Sequence, residues 1–264
     1  MGVEAPGSLL SDPPMSDNAG VRVGIGGWVF PPWRGVLYPP GLPQAKELAH
    51  ASRQVTAIEI NGTFYGSQKP ESFRRWHNET PDDFVFSVKG PRFATHRRDL
   101  STAGPSIERF LASGVLELRG KLGPILWQFA PFLRFDEAGF EAFLALLPPE
   151  VDGRPLRHVV EVRHASFDTP VFAELLRRHR VAVALVDDEK YPALEHVTAG
   201  FVYARLRRSS LDEPSGYSPE ALDGWAARTR DWQAAGLDCF IYFIDGAKVR
   251  APAGAAALLQ RLSA

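Results

Sequence analysis

Eight short apolar runs, most of them followed by a stretch of helical periodicity, restrict the folds open to this chain. The runs cover residues 21–26, 56–61, 84–89, 123–129, 158–163, 181–187, 201–207 and 238–244 and are rich in Val, Ile, Leu and Phe. Runs of that kind read as strands buried on both faces, as in parallel sheets. Helical patterns follow at 44–53, 70–78, 106–117, 137–146, 170–179, 219–234 and 253–262, whereas the connection 189–200 is weak as a helix and reads as irregular. Ser218-Pro219-Glu220 opens one helix: serine caps free amides and proline suits the first turn. Eight β units with helical crossovers in 264 residues predict an α/β fold, a single-domain TIM (β/α)8 barrel. An open doubly wound sheet is the alternative, because periodicity alone does not show closure.

The predicted strands end in polar residues that are expensive to bury unless paired or used. They are Glu59 and Asn61 in TAIEINGTFY, Lys89 in FVFSVKGPR, Gln128 in GPILWQF, Glu161 and Arg163 in VVEVRH, and Arg205 in FVYARLRR. Strand alternation sets Glu59 and Asn61 opposite Ile58 and Ile60, and Glu161 and Arg163 opposite Val160 and Val162. Ser87 and Lys89 likewise oppose Phe86 and Val88. Helices cover the outside of a barrel, so the polar face is predicted to line the lumen. The charges fall late in each strand, at the C-terminal mouth where TIM barrels carry their active sites.

A hydrophobic content of 45% is enough for one large core. With 30 basic and 31 acidic residues, net charge does not demand nucleic acid or an anionic membrane as a partner. The single cysteine, Cys239, excludes an internal disulfide framework and a multi-cysteine metal site, and in DCFIYF it reads as a small buried side chain. No apolar stretch approaches the ~20 residues that span a bilayer. Residues 1–20 lack the basic start and apolar core of a secretory signal, and their Pro, Gly, Ser and Asp content suggests a flexible tail before a domain at 21–264. A soluble cytoplasmic protein is the expectation.

Several long segments carry a family resemblance: GIGGWVFPPWRGVLYP, IEINGTFY, FSVKGPRFATH, LGPILWQFAP, EVRHASF, YARLR and YSPEALDGWA. Through them the chain resembles the YecE-like family, domain of unknown function 72, from about Val21 to the C-terminus. The resemblance implies a TIM barrel and lends no activity. The family usually has His-Gly after the Arg-Leu of the seventh strand, where Arg207-Arg208 stand here. It usually has Asn-Asn-Asp at the end of the eighth, where Ile244-Asp245-Gly246 stand here. If those amides serve a shared chemistry, this member has altered specificity or reduced activity.

Glu59, Glu161 and Asp187 come from strands two, five and six and could converge across the mouth. Paired carboxylates do acid and base work when their environments separate their pKa values. With histidine they could instead hold a divalent metal, although no motif requires a cofactor. The structural alternative is a salt-bridge layer in which Lys89, Arg163 and Arg205 neutralise Glu59 and Glu161. Lys89 reads as an electrostatic stabiliser or a Schiff-base amine, and neighbouring carboxylates are expected to raise its pKa and keep it charged. Asn61 and Gln128 would orient a substrate. His164 has the opposite parity to Glu161 and Arg163 and reads as packing or capping, whereas His96 lies in a loop able to fold over the mouth.

The loops after strands seven and eight, RRSSLDEPSGYS and DGAKVRAPAGA, offer Arg207, Arg208, Ser209, Ser210, Lys248 and Arg250 as donors for an anion. A basic solvated surface is the alternative. Trp28 and Trp33 could stack on a sugar or base, or belong to a stiff packed loop, and Tyr65 and Tyr217 are open to the same two readings. Phosphate-loop, dinucleotide, zinc-protease and hydrolase-elbow signatures are absent. The leading expectation is an enzyme acting on a small anionic ligand, a sugar phosphate or nucleotide derivative, with Glu59 and Glu161 sharing acid and base roles. Hydrolysis and isomerisation are the reaction types fold analogy suggests. A nucleic-acid-binding protein and a non-catalytic ligand-binding barrel are the alternatives.

Overall fold

The computed structural model describes residues 20–263; the tail expected at 1–20 lies outside the described residues except for Gly20. Eight parallel strands close into a barrel: β1 (Val21–Gly26), β2 (Ala57–Ile60), β3 (Val85–Lys89), β4 (Leu122–Gln128), β5 (His158–Glu161), β6 (Ala182–Asp187), β7 (Phe201–Leu206) and β8 (Asp238–Phe243). Each pairs with its sequence neighbours, and β1 pairs with both β2 and β8, which removes every open edge. The closed barrel settles the choice between the two architectures open to the sequence, and each strand matches its expected run to within two residues at either end.

Helices sheathe the barrel: α1 (Glu47–Ala51), α2 (Gly62–Tyr65), α3 (Pro70–Glu79), α4 (Arg92–Thr95), α5 (Gly104–Leu111), α6 (Glu137–Ala145), α7 (Pro170–Arg178), α8 (Pro219–Ala234) and α9 (Ala251–Ser263). Ser218 caps α8 by accepting from the Ala221 amide, with Pro219 in the first turn, as its sequence predicts. The link between β6 and β7 contains no helix, also as expected. The helix expected at 106–117 instead ends at Leu111, because Gly114 turns left-handed (φ 100°) and a 3-10 segment, Val115–Lys121, takes over. A two-residue antiparallel ladder, Glu150–Val151 against Arg154–Pro155, lies outside the eight expected strands.

Alternation divides the core into two shells. Outward strand residues pack under the helices; Phe129, Phe140, Phe143, Phe167 and Phe172 form one aromatic block between β4, α6 and α7. Inward residues fill the lumen: Ala57, Leu126, Val159, Ala182, Ala184, Val186, Phe201, Tyr203, Phe240 and Tyr242. At Gly24, a Cβ would lie 2.0 Å from the Ala57 carbonyl oxygen, so only glycine lets β1 approach β2. Burial of each large apolar side chain contributes roughly 1.5–3 kcal/mol, and the filled lumen makes a rigid base for whatever stands above it.

Candidate active site at the barrel mouth

A layer of ionised side chains caps the apolar lumen at the C-terminal ends of the strands. Arg205 of β7 lies at its centre and is buried. Its Nε and Nη2 donate to the two oxygens of Glu59 on β2, both at 3.0 Å, and its Nη1 donates to Glu161 on β5. Glu161 also accepts from Arg163 Nε at 2.7 Å and from Gln128 Nε2 at 2.9 Å. The Gln128 carbonyl oxygen in turn accepts from Lys89 Nζ at 3.0 Å. Beneath this layer, Tyr203 donates to Glu59 Oε2 at 2.7 Å, and Ser87 and Tyr242 share a 2.7 Å hydrogen bond. Five strands are thus joined by one network, which a buried charge needs if it is to be tolerated.

The sequence-predicted residues Glu59, Lys89, Gln128, Glu161, Arg163 and Arg205 therefore converge, and they form the salt-bridge layer weighed as the structural alternative. Both Glu59 oxygens are engaged by Arg205 and Tyr203. Burial works to raise the Glu161 pKa, but Arg205, Arg163 and Lys89 overcome it and hold it down at about 2. Glu161 is consequently a fixed anion. For Lys89 the expected direction is reversed. Burial, reinforced by Arg205, outweighs the pull of Glu59 and Glu161 and lowers its pKa to about 8. Its ammonium also lies 4.1 Å from the Phe64 ring centre. Arg163 stacks on Tyr191 at 4.7 Å, and among the described residues its two terminal nitrogens donate to no protein group.

Other expected members sit above or outside this layer. His96 caps α4 beside Thr95 and Phe64, where burial and the charges of Arg163, Lys89 and Arg92 lower its pKa and favour neutral imidazole. Asn61 donates to the Glu59 carbonyl oxygen at 3.3 Å and does not reach the ionised groups. Asp187 requires correction. It has the opposite parity to the lumen residues Ala182, Ala184 and Val186, so it turns away from the mouth, accepts from Tyr217 at 2.9 Å and faces Arg208 at 3.7 Å. That contact also places Tyr217 in the wall. His164 caps a 3-10 turn by accepting from the Ser166 amide, as its parity suggests.

The basic loops are largely neutralised. Arg207 pairs with Asp188 at 3.0 Å and Asp245 at 2.7 Å, and Arg208 faces Glu189 at 3.5 Å. Lys248 lies over Phe30 and Trp33, and burial lowers its pKa despite Asp245. Trp33 is buried, and Trp28 packs edge-on against Trp76 at 5.1 Å, so this loop is the stiff packed kind and offers no stacking platform. Tyr65, by contrast, is exposed, and so are Phe93 and Phe132 on the next two loops of the same rim. Among the described residues no group of three or more His, Cys, Asp or Glu side chains is placed to hold a metal ion. Sequence reasoning missed Tyr203, Tyr242 and Tyr191. The first two share the inward parity of Arg205 on β7 and of Phe240 on β8, which was a usable signal.

A family model described as "Protein of unknown function DUF72" matches residues 22–264. The chain belongs to the DUF72 family. It is similar to YecE of Escherichia coli K12, a UPF0759 protein, at 30% identity over 56% of this chain and 50% of that one. It is also similar to YunF of Bacillus subtilis 168, another UPF0759 protein, at 27% identity over 58% and 54%. The chain spans about half the length of these curated relatives it matches. Two solved DUF72 structures share its fold. The Thermotoga maritima protein gives a TM-score of 0.73 at 24% identity, over 92% of this chain and 99% of that one. The Enterococcus faecalis V583 protein gives 0.72 at 15%, over 94% and 100%.

Proposed function

We propose that this DUF72 barrel is an enzyme for a small anionic substrate, a sugar phosphate or nucleotide derivative, with Lys89 as the titrating group. The observation that carries the reading is the charge count of the buried layer: three cations, Lys89, Arg163 and Arg205, face two carboxylates, Glu59 and Glu161. The surplus positive charge attracts an anion, and the terminal nitrogens of Arg163 suit a phosphate or carboxylate fork. Glu59 and Glu161 hold Arg205 and Arg163 in place, which is the preorganisation that stabilises developing negative charge. Lys89, with a pKa of about 8, exchanges a proton near physiological pH, as a general acid or base should.

A screen of phosphate esters and nucleotides tests this reading, with Lys89→Met as its control. Turnover should vanish in the variant, and the parent's pH–rate profile should inflect near pH 8. Equal turnover in the two proteins, or a flat profile from pH 7 to 9, removes Lys89 from the chemistry. The exposed rings of Tyr65, Phe93 and Phe132 favour a second reading, in which unpaired bases stack along the rim. Salt-dependent retention of single strands, lost on replacing these rings, would distinguish it.

A further inference from the structure

The opposite end of the barrel carries a second, unrelated concentration of charge. A cavity of about 530 Å³ opens there, lined by Arg22, Arg119, Arg154 and Arg157, with Asp238 as the carboxylate among its described residues and Phe240 also in its lining. Both Asp238 oxygens are engaged: one accepts from the Gly20 amide at 2.8 Å, the other pairs with Arg157 at 2.8 Å. Arg154 donates to the Leu116 carbonyl oxygen, and Arg22 to that of Val21. Arg22, Arg119 and Arg154 thus have no carboxylate partner among the described residues. Three such guanidiniums line this one cavity, and in a chain of net charge -1 their grouping is not a consequence of overall basicity.

The local backbone is shaped to present them. Arg119 holds φ 52° and ψ -129°, a conformation that strains any residue with a Cβ, although glycine follows it immediately in the sequence. Arg154 follows a turn in which Asp152 and Gly153 both take positive φ, the geometry that closes a two-residue hairpin. The cavity volume falls in the usual range for small-ligand sites. We infer that this cavity binds a compact polyanion of the di- or triphosphate class at the N-terminal end of the barrel. The inference is independent of the chemistry proposed for the mouth.

Titration of the full chain with inorganic tripolyphosphate tests it. A saturable site that persists when Lys89 is replaced is expected, weakened by added salt and accompanied by a rise in Tm. Arg119→Gly and Arg154→Gln should each raise Kd at least tenfold. Arg119→Gly relieves the strained backbone, so its Tm without ligand should not fall, which separates lost binding from lost folding. Lys89→Met, at the other end of the barrel, should leave Kd unchanged. An absence of saturable binding, or a Kd unmoved in both arginine variants, overturns the site. So does a Kd that rises in Lys89→Met and not in the arginine variants, which would place the anion at the mouth.

Discussion

Lys89 shows how a single buried side chain can make stability depend on pH. Its folded-state pKa, about 8, lies below the ordinary 10.5, so the folded chain releases a proton that the unfolded chain still holds between those values. The sign follows directly: the protonated amine opposes folding in full below pH 8, and the opposition fades as pH rises from 8 through 10.5. Lys89 donates to the neutral Gln128 oxygen and among the described residues forms no ion pair with a carboxylate, so an apolar chain of similar volume removes its desolvation cost without leaving a partner charge unpaired. Lys89→Met should therefore be more stable than the parent at pH 7, and the gap should narrow by pH 10. Urea unfolding at the two pH values measures both terms, and a variant less stable at pH 7 would contradict the account. A variant that is both sturdier and inert is the expected signature of a strained functional group.

At the scale of elements, the site depends on how closely β3 and β4 approach. Gly90 follows Lys89, and its amide donates to the Leu126 carbonyl oxygen at 2.9 Å. A Cβ at Gly90 would lie 2.3 Å from the buried ring of Trp127. Gly90→Ala must push that ring or the strand end aside, at a cost of about 1–3 kcal/mol. The end of β3 carries Lys89, so the amine should also leave Gln128. Chemical denaturation together with the Lys89 amine pKa, read by NMR, checks both effects; unchanged stability would show that the ring moves freely. The strands were legible because burial on both faces forces continuous apolar runs, and their polar tips were legible because each breaks such a run. Parity placed Glu59, Lys89 and Glu161 in the lumen. Asp187 marks the limit of strand-end position as a signal, because its parity turns it away from the lumen toward Tyr217. The pKa direction of Lys89 is not legible in the sequence, which shows neighbouring charges and hides the depth of burial. Helices α2 and α4, of four residues each, are too short to show a period.

Across the whole molecule, the charged layer ties five of the eight barrel strands together. Arg205 links β7 to β2 and β5, and Gln128 extends the chain of bonds to β4 and to Lys89 on β3. Acid should therefore loosen the barrel as a unit, because protonating one carboxylate releases several strands. Glu161 has a pKa of about 2 in the folded chain against an ordinary 4.5. A depressed carboxylate stabilises fully above the unfolded value, and that contribution is lost as pH falls from 4.5 through 2. Converted at ~1.4 kcal/mol per tenfold, the contribution is on the order of 3 kcal/mol. Glu161→Gln forfeits it at every pH, so the variant should be less stable at pH 7, and the two unfolding curves should converge as the parent is acidified. Midpoints of urea unfolding at pH 7, 4.5 and 3 in both proteins measure the convergence. Parallel midpoints would mean that the acid sensitivity arises elsewhere and that Glu161 does not couple the strands through its charge. Convergence, with a single transition by two probes at each pH, would show that one ion layer both holds the barrel mouth closed and fixes the groups proposed to bind substrate.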